Sequence, residues 1–212
     1  MDIDITYIAV VIVVILLSMT LHEAMHAFVA FWLGDDTAKL EGRLTLNPIK
    51  HIDPFLTLIL PVMLAVIGAP IFGGAKPVPF NPNRVRHEEW GAALVAVAGP
   101  LTNFIIAFVL FGVYVLAGMP QTGFLGMVLT TAVMVNLGFF IFNMIPIPPL
   151  DGSRVLYALA PEFVRRGMEA IERFGIIFIF IIVLAASPLI SAFMRAAMQF
   201  IIGIFAAVFG LS

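Results

Sequence analysis

The sequence contains no cysteine, so disulfides and thiolate-bound metal centres are both excluded. Charge is almost as scarce. Asp, Glu, Lys and Arg make up 11% of the 212 residues, against about 25% in a soluble domain. No basic tract suggests nucleic acid. Internal repeats and low-complexity tracts are also missing. The opening MDIDITYIAV has no basic residue and no small-residue cleavage site before a polar chain, so it reads as a retained span and not a signal peptide. What the chain does have is apolar: 62% hydrophobic residues and a mean hydropathy of +1.11, in several long runs. Those values place it in a lipid bilayer.

The runs predict an all-α polytopic membrane protein, a single domain over 1–212 with its core at about 5–153 and further helices at 154–212. About five transmembrane helices are expected, from segments at about 5–33, 91–117, 124–145, 174–186 and 190–209. Residues 154–170 interleave Arg and Glu with Val, Leu and Phe at helical spacing, which predicts an amphipathic helix at the interface.

Ten of the eleven basic residues fall in three stretches: Lys39 to Lys50, Lys76 to Arg86 and Arg154 to Arg173. The positive-inside rule assigns all three to the cytoplasm. Two of them flank the apolar stretch 55–73, which must then enter and leave on one side. Pro61, Pro70 and Gly73-Gly74 suit a re-entrant hairpin, although 55–73 is also long enough for an ordinary span.

Within the first apolar run stands HEAMH, residues 22–26. On a helix, positions i and i+4 lie about 40° apart and about 6 Å along the axis. His22 and His26 can therefore reach one Zn²⁺ from the same face. Glu23 sits where a general base can take a proton from the attacking water and pass it to the leaving amine. Histidines buried in a core for packing are the plain alternative. An intramembrane Glu beside them, costing about 2.5–3.5 kcal/mol to insert, favours the metal.

Two imidazoles are too few for a catalytic zinc site, which takes three protein ligands. Without cysteine, the remaining donors are His51, His87 and the carboxylates. Asp151 in NMIPIPPLDGSR is the outstanding candidate, since Pro146, Pro148 and Pro149 forbid regular helix there. An ordinary Asp-Gly turn is the alternative. Asp151 reaches the level of His22 only if the chain crosses an even number of times in between, which the hairpin at 55–73 provides.

The whole pattern resembles the site-2 protease family of intramembrane zinc metalloproteases, in its compact form. HEAMH matches that family's H-E-x-x-H, residues 143–152 match N-x-x-P-x-x-x-L-D-G, and AGPLTN at 98–103 matches G-P-x-x-N. The loops GRLTLNPIKHIDP and GGAKPVPFNPNRVR are similar as well. Two departures are expected: no span ahead of the H-E-x-x-H helix and no PDZ-like or CBS-like domain. The resemblance implies that His22, His26 and Asp151 ligate Zn²⁺ and that Glu23 is the base. It also implies that Asn143 and Asn103 give amide donors to the substrate backbone or a developing oxyanion; for either, an interhelical hydrogen bond is the alternative.

His51, at the mouth of the expected hairpin, is a candidate for orienting substrate or supporting a ligand, or is simply a loop histidine. KPVPF at 76–80 is kept extended by its prolines and offers an edge for a substrate strand. The expected function is an intramembrane zinc endopeptidase of the cell membrane, as in regulated intramembrane proteolysis. It cuts a membrane-protein substrate in or next to a transmembrane segment, with the active site toward the cytoplasm. A metal transporter and an inactive scaffold of the same fold are the alternatives. Substrate identity and oligomeric state are not legible.

Overall fold

A computed structural model describes residues 5–59, 62–63, 75–175 and 186–211. Seven helices and no strand occur among the described residues: α1 (Ile5–Trp32), α2 (Thr37–Leu40), α3 (Glu88–Leu116), α4 (Gly123–Asn143), α5 (Gly152–Leu159), α6 (Glu162–Glu172) and α7 (Ser187–Val208). Four of them, α1, α3, α4 and α7, are long and apolar enough to cross a membrane. The expected fifth span at 174–186 and the hairpin at 55–73 lie largely outside the described residues.

α3 is central, packing on α1, α4 and α5. Between lipid-embedded helices there is little hydrophobic gain from contact, so close packing of small residues matters most. The α1 and α3 faces supply them: Ala24, Ala27 and Ala30 on one helix, Ala92, Ala96 and Gly99 on the other, all buried. α7 is the least enclosed span. Its main anchor is Phe205, which is buried against Phe104, Phe108 and Phe111 of α3 with ring centroids 5.1–5.7 Å apart. Trp32, Leu116 and Phe200 are exposed, as suits side chains that meet lipid.

The amphipathic helix expected over 154–170 is two helices, α5 and α6. Pro161 ends the first, because it has no N–H to donate and forces Ala160 before it into an extended conformation. Arg165 then ties α6 to the start of α3 through Glu89 at 3.1 Å.

The flanks of the expected hairpin meet. Lys76 N–H donates to the His51 carbonyl at 2.9 Å, and Arg86 N–H donates to the Leu33 carbonyl at 2.9 Å. The chain therefore leaves and re-enters at the α1 C-terminal end. α3 then runs away from that end and α4 returns to it, which brings the 144–151 loop back to the level of HEAMH.

Candidate active site

His22 and His26 project from one face of α1 with their Nε2 atoms 3.0 Å apart. Asp151 Oδ2 lies 3.2 Å from His22 Nε2 and 3.5 Å from His26 Nε2. Glu23 is buried beside them, and its carboxylate and both imidazoles offer donor atoms within 4.8 Å of one another. The loop between α4 and α5 delivers Asp151, and Gly152 is required there. A Cβ at Gly152 would stand 2.4 Å from the Met144 carbonyl oxygen, so a larger residue would push the loop off α4.

Each imidazole is held from behind by α3. His22 Nδ1 donates to Asn103 Oδ1 at 2.6 Å, and His26 Nδ1 donates to the Val95 carbonyl at 2.7 Å. A carbonyl oxygen only accepts, so both protons sit on Nδ1 and both Nε2 atoms turn lone pairs inward. Pro100 removes the N–H that would meet the Ala96 carbonyl, one residue after Val95 in α3. Two lone pairs 3.0 Å apart, with a carboxylate alongside, repel unless a cation joins them.

The site has room for one. Gly99 faces both imidazoles, and a Cβ there would lie 2.4 Å from His26 Nε2 and 2.6 Å from His22 Nε2. Donors about 2.0–2.1 Å from a tetrahedral ion stand about 3.3 Å from each other. The three separations among His22, His26 and Asp151, 3.0, 3.2 and 3.5 Å, bracket that spacing. The residues present fit zinc.

The extended stretch Lys76–Asn81 runs past this cluster. Val78 N–H donates to Glu23 Oε2 at 2.9 Å. Arg43, buried, donates from Nη2 to the Lys76 carbonyl at 2.5 Å. Asn81 N–H donates to Asp35 Oδ2 at 2.7 Å. Burial raises the Asp35 pKa, but hydrogen bonds from Asn81 N–H and from the Thr37 hydroxyl and N–H, with the charge of Arg84, outweigh it and hold the pKa below the usual carboxylate value.

His51 is buried and its Nε2 donates to the Thr45 carbonyl at 2.9 Å, so it braces the loop that holds Lys76. Asn143, at the end of α4, donates to the Phe139 carbonyl of its own helix at 3.0 Å. Asn103 is fully buried and has no amide hydrogen pointed at a substrate path. Its Nδ2 donates to Asn136 Oδ1 at 2.9 Å and to the Ser18 carbonyl at 3.4 Å. The expectation that it donates to substrate gives way to its alternative, the interhelical hydrogen bond. Sequence reasoning missed Ser18, Asn136, Val78, Arg43 and the place of Gly99 against the imidazoles. A lone Asn in the apolar run VMVNLGFF was a usable signal for Asn136; a backbone N–H such as that of Val78 leaves none.

The profile of Peptidase family M50 matches residues 117–187. YwhC of Bacillus subtilis, provisionally named a zinc metalloprotease, is 40% identical over 210 residues, covering 93% of this chain and 91% of its own. The chain belongs to peptidase family M50. Rip2 of Mycolicibacterium smegmatis, also provisionally a zinc metalloprotease, is 34% identical over 88% of this chain and 71% of its own. Zinc metalloprotease MJ0392 of Methanocaldococcus jannaschii is 28% identical over 71% of this chain and 34% of its own. No solved structure matches. Membership of family M50 makes this chain a membrane-embedded zinc metalloprotease with Zn²⁺ as its cofactor.

Proposed function

We propose that this M50 protease cuts a peptide bond within or next to a transmembrane segment of another membrane protein, close to the cytoplasmic face of the cell membrane. One observation carries the reading: Asp151 meets His22 and His26 at a level within the bilayer-length helix α1 and not beyond its end. His22 stands ten residues before Trp32, about 15 Å from the C-terminal end of α1. The basic stretches gather at that same end, which supports a cytoplasmic position.

In this reading His22, His26 and Asp151 hold the zinc. Zinc, when bound, makes a water molecule acidic near neutral pH and polarises the scissile carbonyl. Glu23 takes the proton from the attacking water and delivers it to the departing amine nitrogen. Its carboxylate is kept beside the imidazoles by Val78 N–H. Asn103 orients His22. Asn143 supplies a donor to the substrate carbonyl once it turns from the Phe139 carbonyl. The substrate helix must unwind first, since helical peptide groups are already hydrogen-bonded. Lys76–Phe80 offers the unwound strand an extended edge.

The test is wild-type protein and Glu23→Gln in liposomes with a single-span model substrate. Zinc-dependent cleavage inside or beside the span, absent in the variant, is the expected result. Zinc flux without cleavage would indicate a transporter, and zinc binding with neither would indicate a scaffold.

A further inference from the structure

Behind His22 lies a polar chain with no access to solvent. Asn103 is fully buried, and Asn136 and Ser18 nearly so. His22 Nδ1 meets Asn103 Oδ1 at 2.6 Å, Asn103 Nδ2 meets Asn136 Oδ1 at 2.9 Å, and Asn136 Nδ2 meets both Ser18 Oγ at 2.9 Å and the Ala132 carbonyl at 2.8 Å. A primary amide fits its cavity either way round, and only its neighbours decide which end is oxygen. The Ala132 carbonyl cannot donate, so it fixes the Asn136 amino group on its side. Asn136 Oδ1 must then face Asn103, whose amino group must face Asn136. That leaves Asn103 Oδ1 toward His22.

From this we infer that Asn136, with Ser18, is a positioning residue that keeps the His22 proton on Nδ1 and its Nε2 free for the metal. The inference rests on the assignment of His22 as a zinc ligand. Were the Asn103 amide reversed, its amino group would face His22 Nδ1, which would have to be bare. The proton would then sit on Nε2, in the place of the metal. The reversed amide would also set Asn103 Oδ1 against Asn136 Oδ1 and the Ser18 carbonyl, and Asn136 cannot turn to relieve this. The polarity of one α4 backbone carbonyl is thereby passed through two side chains to a nitrogen on α1.

The test combines ring-nitrogen NMR of ¹⁵N-histidine-labelled, metal-free protein in bilayers with zinc affinity by chelator competition. The wild type is expected to show His22 protonated on Nδ1. Asn136→Leu is expected to lower that proton's occupancy and to weaken zinc about 10–100-fold, the usual effect of losing a partner behind a ligand. Asn103→Asp in the Asn136→Leu background is expected to restore affinity, because a buried carboxyl group whose O–H meets the Ser18 carbonyl still turns its other oxygen to accept from Nδ1. A packing role alone would not be rescued by that change. The inference is overturned by a wild-type His22 lacking the Nδ1 proton, by wild-type zinc affinity in Asn136→Leu, or by failure of the rescue. If Asn136→Leu does not fold, the wild-type spectrum still decides. A flat zinc titration in the wild type would instead sink the ligand assignment and leave the nitrogen spectrum to judge the relay.

Discussion

The Val78 amide donates to Glu23 Oε2 at 2.9 Å, joining an extended stretch outside the helices to the carboxylate at their centre. A backbone donor there holds the carboxylate without adding a second titrating group, and its direction is set by wherever Lys76–Asn81 is held.

Glu23→Gln preserves that contact, because the amide oxygen still accepts from Val78. The variant should retain zinc while cleavage falls by about 10²–10⁴ or more, the scale of a lost general base. Metal content and cleavage measured on the same preparation check both halves.

Asp151→Ala should lose stoichiometric zinc together with activity. Its carboxylate is the only one shown within 3.5 Å of both Nε2 atoms among the described residues. Tight zinc at one equivalent in the purified variant would count against its place as third ligand.

Gly99→Ala is the sharpest steric test. Alanine in a helix interior is ordinarily favoured over glycine by about 0.5–1 kcal/mol. Here its Cβ would stand 2.4 Å from His26 Nε2. Thermal stability should change little, while zinc affinity should fall at least about tenfold, as when a ligand's support is lost. Chelator competition beside a melting curve separates the two effects.

Arg43→Met keeps most of the buried stem and removes the donor to the Lys76 carbonyl. Loosening of the extended stretch should raise KM for a transmembrane substrate more than it lowers kcat. Zinc content should be unchanged. Equal loss in both parameters would argue against a role in substrate alignment.

Asp35 supplies a pH dependence. Its pKa is depressed in the folded protein, so its stabilising contribution is complete above the unfolded carboxylate value of about 4 and disappears as pH falls through the lower folded value. Hydrogen exchange at the Asn81 amide should be insensitive to this group from neutrality to about pH 4 and should quicken below it. Asp35→Ala should abolish that acid step and destabilise by about 1–3 kcal/mol, through the unsatisfied Asn81 N–H.

Much of this was legible because the bilayer restricts what a sequence can mean. Apolar length gave α1, α3, α4 and α7, and HEAMH in a span was too costly to be filler. Counting crossings made Asp151 a candidate on the condition that 55–73 returns to the side it left. The break at Pro161 was overlooked because amphipathic spacing continued across it, and spacing does not record a missing N–H. Asn103 was left between two readings for another reason. One asparagine can face a substrate or a histidine, and the difference lies in Asn136, 33 positions away. Val78 and Gly99 act through a backbone hydrogen and through empty space, which residue type does not reveal.

The His51–Lys76 hydrogen bond closes the intervening stretch at its base. That bond, with Arg43 on the Lys76 carbonyl, anchors the chain two residues before Val78 and so sets where the Val78 N–H meets Glu23.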